Sequence, residues 1–280
     1  MASILITIPH YFQERGDPRY ASTNGNSSER AKALGAAMSG LYRCFGRGIA
    51  EYSIEKRAAT PGPERYELTI AVVTNKDDHL LSFLPEQKGL YKHVVAEIDD
   101  PMFLGFACQR YLGELAGRYD WYGFMEDDLI VHDPFLLAKL NHFSRTFGND
   151  KVLQPNRFEC RVTGTIKTFY VDGPIRKGAV DKIRPIQLGE RLSCSYLGRE
   201  IEFIEARNPH SGCYFLNAQQ MAYWASQEYF AKPSSAFIGP LESAATLGLL
   251  QTFRVFKTAP RYLDYLEIEH YGNKFISGVG

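Results

Sequence analysis

The sequence predicts an α/β fold in a single domain, with a mixed, mainly parallel sheet covered by helices on both faces. Short apolar segments rich in β-branched residues alternate along the chain with longer segments in which apolar residues recur at helical spacing. This alternation is typical of parallel sheets whose crossover helices cover both faces. With 280 residues, the chain is long enough to bury the core that such a fold requires.

The first half contains the most regular alternation. Its predicted strands are Ile4–Ile8, Tyr66–Asn75, His93–Ile98 and Asp120–Met125. Between the first two strands, apolar residues at helical spacing predict a helix capped by Ser27 or Ser28. Two further helices are expected to begin at Asp100-Pro101 and Asp133-Pro134, since each pair places an N-cap residue before a first-turn proline.

The second half is less regular. Two strands are predicted at Lys151–Phe158 and Cys213–Asn217, and two helices at Ala218–Ser226 and Gly239–Phe253. Residues 160–206 contain only short β-like pieces and many basic side chains. We expect one domain over residues 1–280, divided into halves at residue 135.

The charge balance argues against a nucleic-acid partner, because Lys plus Arg and Asp plus Glu number 32 each. No apolar run approaches the ~20 residues of a membrane-spanning helix. The basic residues within 160–200 leave a peripheral membrane contact open, although a solvated loop is the commoner interpretation.

The cysteines indicate the compartment. There are five of them, far apart and without a Cys-x-x-Cys pair: Cys44, Cys108, Cys160, Cys194 and Cys213. This pattern favours reduced thiols over a disulfide framework or a zinc site. We therefore predict a cytoplasmic protein.

Three consecutive acids, Glu126, Asp127 and Asp128, follow the predicted strand at Asp120–Met125. Ligands in open α/β sheets bind beyond the carboxyl ends of the strands, where these acids lie. If side chains alternate there, Glu126 and Asp128 share one side and repel each other unless a cation joins them. Mg²⁺ or Mn²⁺ would suit such oxygen ligands and would hold a diphosphate in turn. A solvated acidic turn is the simpler alternative.

The surroundings of the acids point to a family. The stretch GFACQRYLGELAGRYDWYGFMEDDLIVHDPFLL resembles the central motif of GT-A fold glycosyltransferases, in which a helix leads into a strand that ends in Asp-x-Asp. The resemblance implies a Rossmann-type sheet, with a nucleotide-sugar-binding half at 1–135 and an acceptor-binding half at 136–280. Glu126 replaces the first Asp of the motif, so whether Glu126 or Asp127 takes the ribose side stays open.

The resemblance also implies contacts to the nucleotide sugar. The segments ITIPHYF and VVTNKDD occupy strand ends that contact the nucleotide in the family, and one residue of the following helix is often polar. The implied nucleotide-sugar-binding residues are Pro9, His10, Tyr11, Asn75, Asp77, Asp78, Arg110, Glu126 and Asp127. For each of them an ordinary polar residue in a loop, or on a solvated helix face, is the alternative.

Two motifs of the second half resemble the remainder of the family pattern. GPLESAATL resembles an acidic pair at a helix start, with Glu242 as the candidate catalytic base and Ser243 where Asp would stand. His270 resembles the histidine that completes the metal site with Asp128 and Glu126. Glu242 could instead serve only the helix dipole, and His270 could be a surface residue.

A small-residue segment and three aromatic residues of the second half are candidates for the acceptor side. The segment NPHSGCYFLN, with Ser211 and Gly212, resembles a small-residue loop before an acceptor-side strand. Aromatic side chains nearby could stack on a sugar ring, although such residues more often belong to the core. These aromatic residues are Tyr214, Tyr223 and Trp224.

The predicted function is a metal-dependent glycosyltransferase, using Mn²⁺ or Mg²⁺, with an inverting mechanism favoured. Its donor would be a nucleoside-diphosphate sugar, and its acceptor a glycan, a lipid-linked molecule or a small molecule. Two alternatives stay open. A nucleotidyltransferase shares the layout but usually carries a glycine-rich loop where this chain has PHYFQERGDP. A protein that binds nucleotides or glycans without catalysis is the other.

Overall fold

The computed structural model describes residues 1–14, 26–46, 50–62, 66–84, 89–166, 168–176, 178–184 and 190–278. The strands are β1 (Ala2–His10), β2 (Ala50–Ser53), β3 (Ala58–Pro61), β4 (Tyr66–Asn75), β5 (Lys92–Ala96), β6 (Trp121–Met125), β7 (Leu129–Ile130), β8 (Lys151–Leu153), β9 (Asn156–Cys160), β10 (Thr168–Tyr170), β11 (Arg191–Tyr196), β12 (Arg199–Glu205), β13 (Cys213–Asn217), β14 (Arg254–Thr258) and β15 (Glu267–His270). The helices are α1 (Ser27–Phe45), α2 (Leu104–Glu114), α3 (Leu136–Phe147), α4 (Ala218–Ala225) and α5 (Pro240–Thr252).

A five-stranded sheet forms the centre of the molecule, in the order β13-β6-β1-β4-β5. Strands β6, β1, β4 and β5 are parallel, and β13 joins β6 as an antiparallel edge strand. The mixed α/β fold with a mainly parallel sheet is therefore confirmed. The direction of β13 could not be predicted, because hydrophobic periodicity carries no information about strand polarity.

Helices cover both faces of this sheet because the side chains of β1 alternate. Ile4, Ile6 and Ile8 are fully buried in one hydrophobic cluster together with residues of α1 and α3. Leu5 points to the opposite face and is buried with residues of α2, α4 and α5. A strand buried on both faces reads as a continuous apolar run, which is how β1 appears in the sequence.

Two four-stranded sheets complete the fold, in the orders β10-β9-β15-β7 and β11-β12-β14-β8. The single strand predicted at Lys151–Phe158 is wrong, since β8 and β9 belong to different sheets. Pro155 separates them, and a proline has no N–H to continue a ladder. Strands β10 to β12 lie within residues 160–206, where only short pieces were expected.

Strand β15 brings the end of the chain to the acidic turn. It pairs in parallel with β9 and antiparallel with β7, which begins directly after the three acids. His270 lies opposite Leu129 in this pairing, and the backbone N–H of Tyr271 donates to the carbonyl oxygen of Asp128 at 2.7 Å. The sheet thereby places a histidine beside the acids.

Two smaller points concern the helices. The N-cap of α1 is Asn26, whose side chain accepts from the backbone N–H of Ser28, and not Ser27 or Ser28 as predicted. Within the described ranges, no helix is long and apolar enough to cross a membrane.

Candidate functional site

A cleft of about 630 Å³ lies at the carboxyl ends of β1 and β6; we call it the central cleft. The first turns of α1 and α5 and the segment that follows β15 form its other walls. Seven predicted site residues line it: Pro9, Tyr11, Glu126, Asp127, Asp128, Glu242 and His270. The structure thus brings together residues from the beginning, middle and end of the chain.

Five other predicted nucleotide contacts do not line the central cleft. His10 is fully buried directly behind Asp127. Asn75 is buried, and its side-chain oxygen accepts from the backbone N–H of Ile98 at 3.1 Å. Asp77 and Arg110 are exposed away from the cleft.

Asp78 also lies outside the cleft lining, where its carbonyl oxygen accepts from Phe12 at 3.1 Å. The aromatic residues considered for sugar stacking are not cleft residues either. Tyr214 and Trp224 are buried in the core, and Tyr223 is exposed beside Phe253. Ser211 is fully buried and donates to the carbonyl oxygen of Pro155 at 2.7 Å, which gives it a structural role.

The three acids do not alternate as predicted, because β6 ends at Met125 and the acids form a turn. The backbone N–H of Glu126 still donates to the carbonyl oxygen of Gly212, but no ladder continues beyond it. Asp127 and Asp128 lie on the same side and share Arg30 as a partner. Glu126, and not Asp127, is the acid that separates from the other two.

Asp127 has both carboxylate oxygens occupied. One accepts from Nδ1 of His10 at 2.6 Å, and the other is paired with Nη2 of Arg30. His10 Nε2 accepts from the backbone N–H of Leu80 at 3.1 Å, so the ring proton must be on Nδ1. Burial acts to raise the pKa of Asp127, but Arg30 and His10 outweigh it and lower that pKa. Asp127 is therefore ionised and committed to its neighbours.

Asp128 and His270 form a pair that faces the cleft. His270 Nε2 lies 3.8 Å from Asp128 Oδ2, while its Nδ1 donates to the buried carboxylate of Glu159 at 2.8 Å. The other oxygen of Glu159 accepts the backbone N–H groups of Phe275 and Ile276. A carboxylate behind a histidine is the usual means of orienting a metal ligand, since it leaves the second nitrogen free to coordinate.

Asp128 and His270 carry donor atoms of the kind that a divalent cation needs. Asp128 Oδ1 is buried without a hydrogen-bond partner among the residues that the structure describes. The lone pairs on Asp128 Oδ1 and His270 Nε2 suit an ion that also takes oxygen ligands from phosphates and water, as Mg²⁺ does. In the same ranges no group of three or more ligating side chains is assembled, so the protein would supply only this pair.

Glu126 faces a second arginine. Arg157 Nη1 lies 3.7 Å from its carboxylate, and Arg157 is held from behind by a bond of 2.8 Å to Asp172. Burial raises the pKa of Glu126 to about 8; Arg157 opposes the rise, while Asp128 and Glu242 increase it. Glu126 is thus a carboxyl group whose protonation changes near neutral pH.

Asp172 holds a buried network on the far side of Arg157. Lys257 Nζ donates to Asp172 at 2.9 Å and to the carbonyl oxygen of His210 at 2.7 Å. Burial, together with the nearby Arg157, lowers the pKa of His210 to about 3, so its ring is neutral. The network fixes the direction from which Arg157 approaches the cleft.

Glu242 occupies the first turn of α5, lines the central cleft and is partly buried. Its neighbour Ser243 is fully buried, and its hydroxyl group both donates to and accepts from the backbone of Phe237 at 3.0 Å. Ser243 therefore closes the loop before α5, and Glu242 alone of the two lines the cleft. A carboxylate placed there can accept a proton from a bound hydroxyl group.

Sequence reasoning missed three residues of the site: Arg30, Arg157 and Glu159. Arg30 received no role in the predicted helix that follows Ser28, Arg157 lay inside the predicted strand Lys151–Phe158, and Glu159 followed that strand directly. Their importance follows from partners far away in the chain. The only signal in the sequence was local: a glutamate and an arginine beside Phe158 in a strand-like segment need partners if that segment is buried.

Comparisons with known proteins give limited matches. No protein-family model and no curated protein sequence matches this chain. Solved structures of TarS from S. aureus are similar in shape, with a TM-score of 0.48 and 10% identity over 97% of this chain and 37% of that chain. A solved structure of TarS 1-349 matches with a TM-score of 0.47 and 11% identity, over 99% of this chain and 63% of that chain.

A third match is TarS 1-349 in complex with UDP-GlcNAc, with a TM-score of 0.45, 10% identity, and coverage of 96% of this chain and 58% of that chain. The chain therefore spans less than two thirds of the length of each of these three TarS chains.

Proposed function

We propose that this protein is a glycosyltransferase, which binds a nucleoside-diphosphate sugar in the central cleft and moves the sugar to an acceptor hydroxyl group. The observation that carries the proposal is the convergence of Asp128, His270 and Glu242 on one cleft, where Asp128 and His270 form a pair. A site for the leaving group and a site for the proton are the two requirements of glycosyl transfer.

The donor diphosphate would lie against Asp128 and His270. These residues would hold Mn²⁺ or Mg²⁺, whose charge stabilises the departing diphosphate. Glu159 supports this role because it keeps the His270 ring oriented with Nε2 toward Asp128. Pro9 and Tyr11 line the same cleft and provide surface for the base or the ribose. Glu126 pairs with Arg157, so we assign the metal to Asp128 and His270 alone.

Glu242 would act as the general base. From the first turn of α5 it would take the proton of the acceptor hydroxyl group, which then attacks the anomeric carbon on the side opposite the diphosphate. This route inverts the configuration. Ser243 supports it indirectly, because the backbone of Phe237 already occupies its hydroxyl group and leaves Glu242 as the acid of this turn.

The acceptor stays within the predicted classes of glycan, lipid-linked molecule or small molecule, and a cytoplasmic site of action remains part of the proposal. The cleft of about 630 Å³ is of the size that proteins use for ligands of this kind.

Nucleotide binding gives the first test. We expect a panel of nucleoside diphosphates to raise the unfolding temperature with Mn²⁺ present, since a ligand bound only to the native state stabilises it. Asp128→Asn should remove the part of the shift that depends on Mn²⁺. Asp77→Asn, at an exposed position outside the cleft, is the matched control and should behave as the wild type. The absence of any Mn²⁺-dependent shift in the wild type would disprove the proposal.

Turnover gives the second test and separates the alternatives. A glycosyltransferase releases a nucleoside diphosphate, a nucleotidyltransferase releases pyrophosphate, and a binding protein releases neither. Glu242→Gln should keep nucleotide binding but lower the rate of transfer by about 10²–10⁴-fold, the usual contribution of a general base. A Glu242→Gln variant with unchanged activity would remove Glu242 as the base and leave only the binding part of the proposal.

A further inference from the structure

Arg30 occupies an unusual position for a cation. It lies in the first turn of α1, where the helix dipole disfavours positive charge. Its guanidinium group is drawn into the central cleft by two carboxylates, through Nη2 to Asp127 and through Nη1 to Asp128 at 3.0 Å. Asp127 and Asp128 are therefore already joined by a cation of the protein itself.

The two contacts of Arg30 differ in how firmly they are held. Asp127 is 8% exposed and has its second oxygen bound by His10, so neither oxygen is available to a ligand. Asp128 is 22% exposed, and its second oxygen, Oδ1, has no hydrogen-bond partner among the described residues. The contact to Asp127 is thus fixed by the fold, whereas the contact to Asp128 can be exchanged.

Arg30 itself has an unused donor. Its Nε is buried and lacks a hydrogen-bond partner in the part of the chain that the structure describes. A buried donor without an acceptor costs roughly 1–3 kcal/mol, which a ligand oxygen in the cleft would recover. The cleft therefore contains an unpaired acceptor on Asp128 and an unpaired donor on Arg30. A cation bound to a diphosphate would satisfy both.

Charge supports the same combination. One guanidinium group faces two carboxylates, so the trio of Arg30, Asp127 and Asp128 is negative overall and would repel a diphosphate that arrives alone. A divalent cation reverses the sign. A cation shared by Asp128 and His270 competes with Arg30, because His270 Nε2 lies 3.8 Å from Asp128 Oδ2, the same oxygen that Arg30 Nη1 contacts. A guanidinium group that loses this contact has donors left for phosphate oxygens, to which its fork is well matched.

We propose that Arg30 is an internal counter-cation, which occupies Asp128 in the free protein and is transferred to the diphosphate when a divalent metal ion takes Asp128. Asp127 and His10 keep the side chain in the cleft during this exchange. The inference rests on the proposed function, because it assumes a diphosphate ligand. It makes Arg30 a competitor of the metal ion and a partner of the nucleotide, two roles with opposite consequences for binding.

Two titrations test the proposal. Free Mn²⁺ is measured by electron paramagnetic resonance while Mn²⁺ alone is added, and uridine diphosphate is titrated calorimetrically at saturating Mn²⁺. In Arg30→Gln the affinity for Mn²⁺ alone should rise, and the affinity for the diphosphate should fall by about 10- to 100-fold, as expected for a lost charged hydrogen bond. A residue with only a structural role would not shift the two affinities in opposite directions.

Folding must be controlled, because removing Arg30 leaves two partly buried carboxylates without their partner. Arg30→Lys keeps the charge but cannot bridge both acids as a fork, so Mn²⁺ affinity should still rise while diphosphate affinity falls less. Lys32→Gln removes the same charge from an exposed position of α1 and should change neither affinity.

The outcomes separate this inference from the proposed function. The inference alone would be overturned if the affinities for Mn²⁺ and for uridine diphosphate fell together in the two Arg30 variants. It would also be overturned if both affinities stayed unchanged. A wild-type protein that binds no nucleoside diphosphate with Mn²⁺ would overturn the proposed function and this inference with it.

Discussion

Glu126 is the residue of the cleft whose charge depends most directly on its surroundings. Burial is the largest cause of its raised pKa, and the negative charges of Asp128 and Glu242 add to it, although Arg157 opposes the rise. With this pKa of about 8, the native protein keeps a proton that the unfolded chain, whose glutamate has the ordinary pKa of 4.5, has already released. This difference links the stability of the protein to pH.

The contribution of Glu126 to the free energy of unfolding should therefore fall as pH rises between about 4.5 and about 8. In this window the native state binds more protons than the unfolded state, so raising the pH favours unfolding. The measurement is the urea midpoint of the wild type and Glu126→Gln at several pH values. The stability difference, wild type minus variant, should decrease across the window and level off on either side.

Glu51→Gln provides the control, since this glutamate is exposed on β2 away from the cleft and its removal should leave the pH profile parallel to that of the wild type. A Glu126→Gln profile that also stays parallel would show that Glu126 titrates alike in the native and unfolded states.

The acids themselves could be predicted from the sequence, but their partners could not. Glu126, Asp127 and Asp128 stand at the end of an apolar run, and that location is visible in one chain. Arg30 and Glu159 act on them across many residues, through contacts that only the sheet order creates. For the same reason the alternation of the acids was mispredicted: the pairing of β6 stops at Met125, and periodicity does not reveal where a ladder stops.

Among the secondary-structure elements, α2 and α5 make the closest approach near the cleft. A Cβ atom on Gly105 of α2 would lie 2.5 Å from Cβ of Ala244 in α5 and 3.4 Å from the ring of Phe124. The contact with Ala244 is too short for real atoms, and the neighbours are a core helix and a buried ring. Gly105 therefore determines how closely α5, and with it Glu242, approaches the sheet.

Gly105→Ala should destabilise the protein by about 1–3 kcal/mol, the usual cost of overpacking a core. The reason is steric, because α5 must move outward to admit the methyl group. The urea midpoint measures the loss of stability, and we expect transfer activity to fall as well, since Glu242 moves with α5.

Gly35→Ala is the matched control for this prediction. Gly35 also lies in a helix, but a Cβ atom there would meet only Cδ2 of Leu84, at an ordinary 3.7 Å. Alanine in a helix interior is favoured over glycine by roughly 0.5–1 kcal/mol, so Gly35→Ala should leave stability unchanged or raise it. Equal effects of both substitutions would contradict a special role for the contact between Gly105 and Ala244.

The elements were predicted best where burial is continuous. The bounds of β4, Tyr66–Asn75, agree with the prediction, and the last six residues of this strand are all buried. The prediction failed at Pro155, where β8 ends and β9 starts in another sheet. A proline inside an apparent strand is a warning in principle, but the two sheets it separates are set by contacts with β14 and β15.

At the scale of the whole molecule, the two predicted halves share one sheet. Strand β13 belongs to residues 136–280 but pairs with all five residues of β6 from the first half. The hydrophobic clusters are mixed in the same way, since Ile4 and Ile6 lie in one cluster with Phe203 and Phe256. Both large hydrophobic clusters therefore contain residues of both halves.

A fragment of residues 1–135 should therefore fail to unfold cooperatively. Without β13, the buried strand β6 becomes an exposed edge, and the apolar face of α1 loses the part of its core supplied by α3. Far-UV circular dichroism during urea unfolding checks this, with the full chain as the reference. A sharp, cooperative transition of the fragment would instead support two units that fold separately.

The closed arrangement of His10, Arg30 and Asp127 has a consequence for evolution. The backbone N–H of Leu80 fixes the tautomer of His10, and His10 and Arg30 occupy both carboxylate oxygens of Asp127. Losing His10, Arg30 or Asp127 alone would therefore leave a buried polar group without a partner. In related chains these three positions should change together, whereas Asp128 should vary independently of His10. A pattern that requires the histidine and the arginine along with the acidic run would separate relatives from unrelated chains that share only the short Glu-Asp-Asp signature.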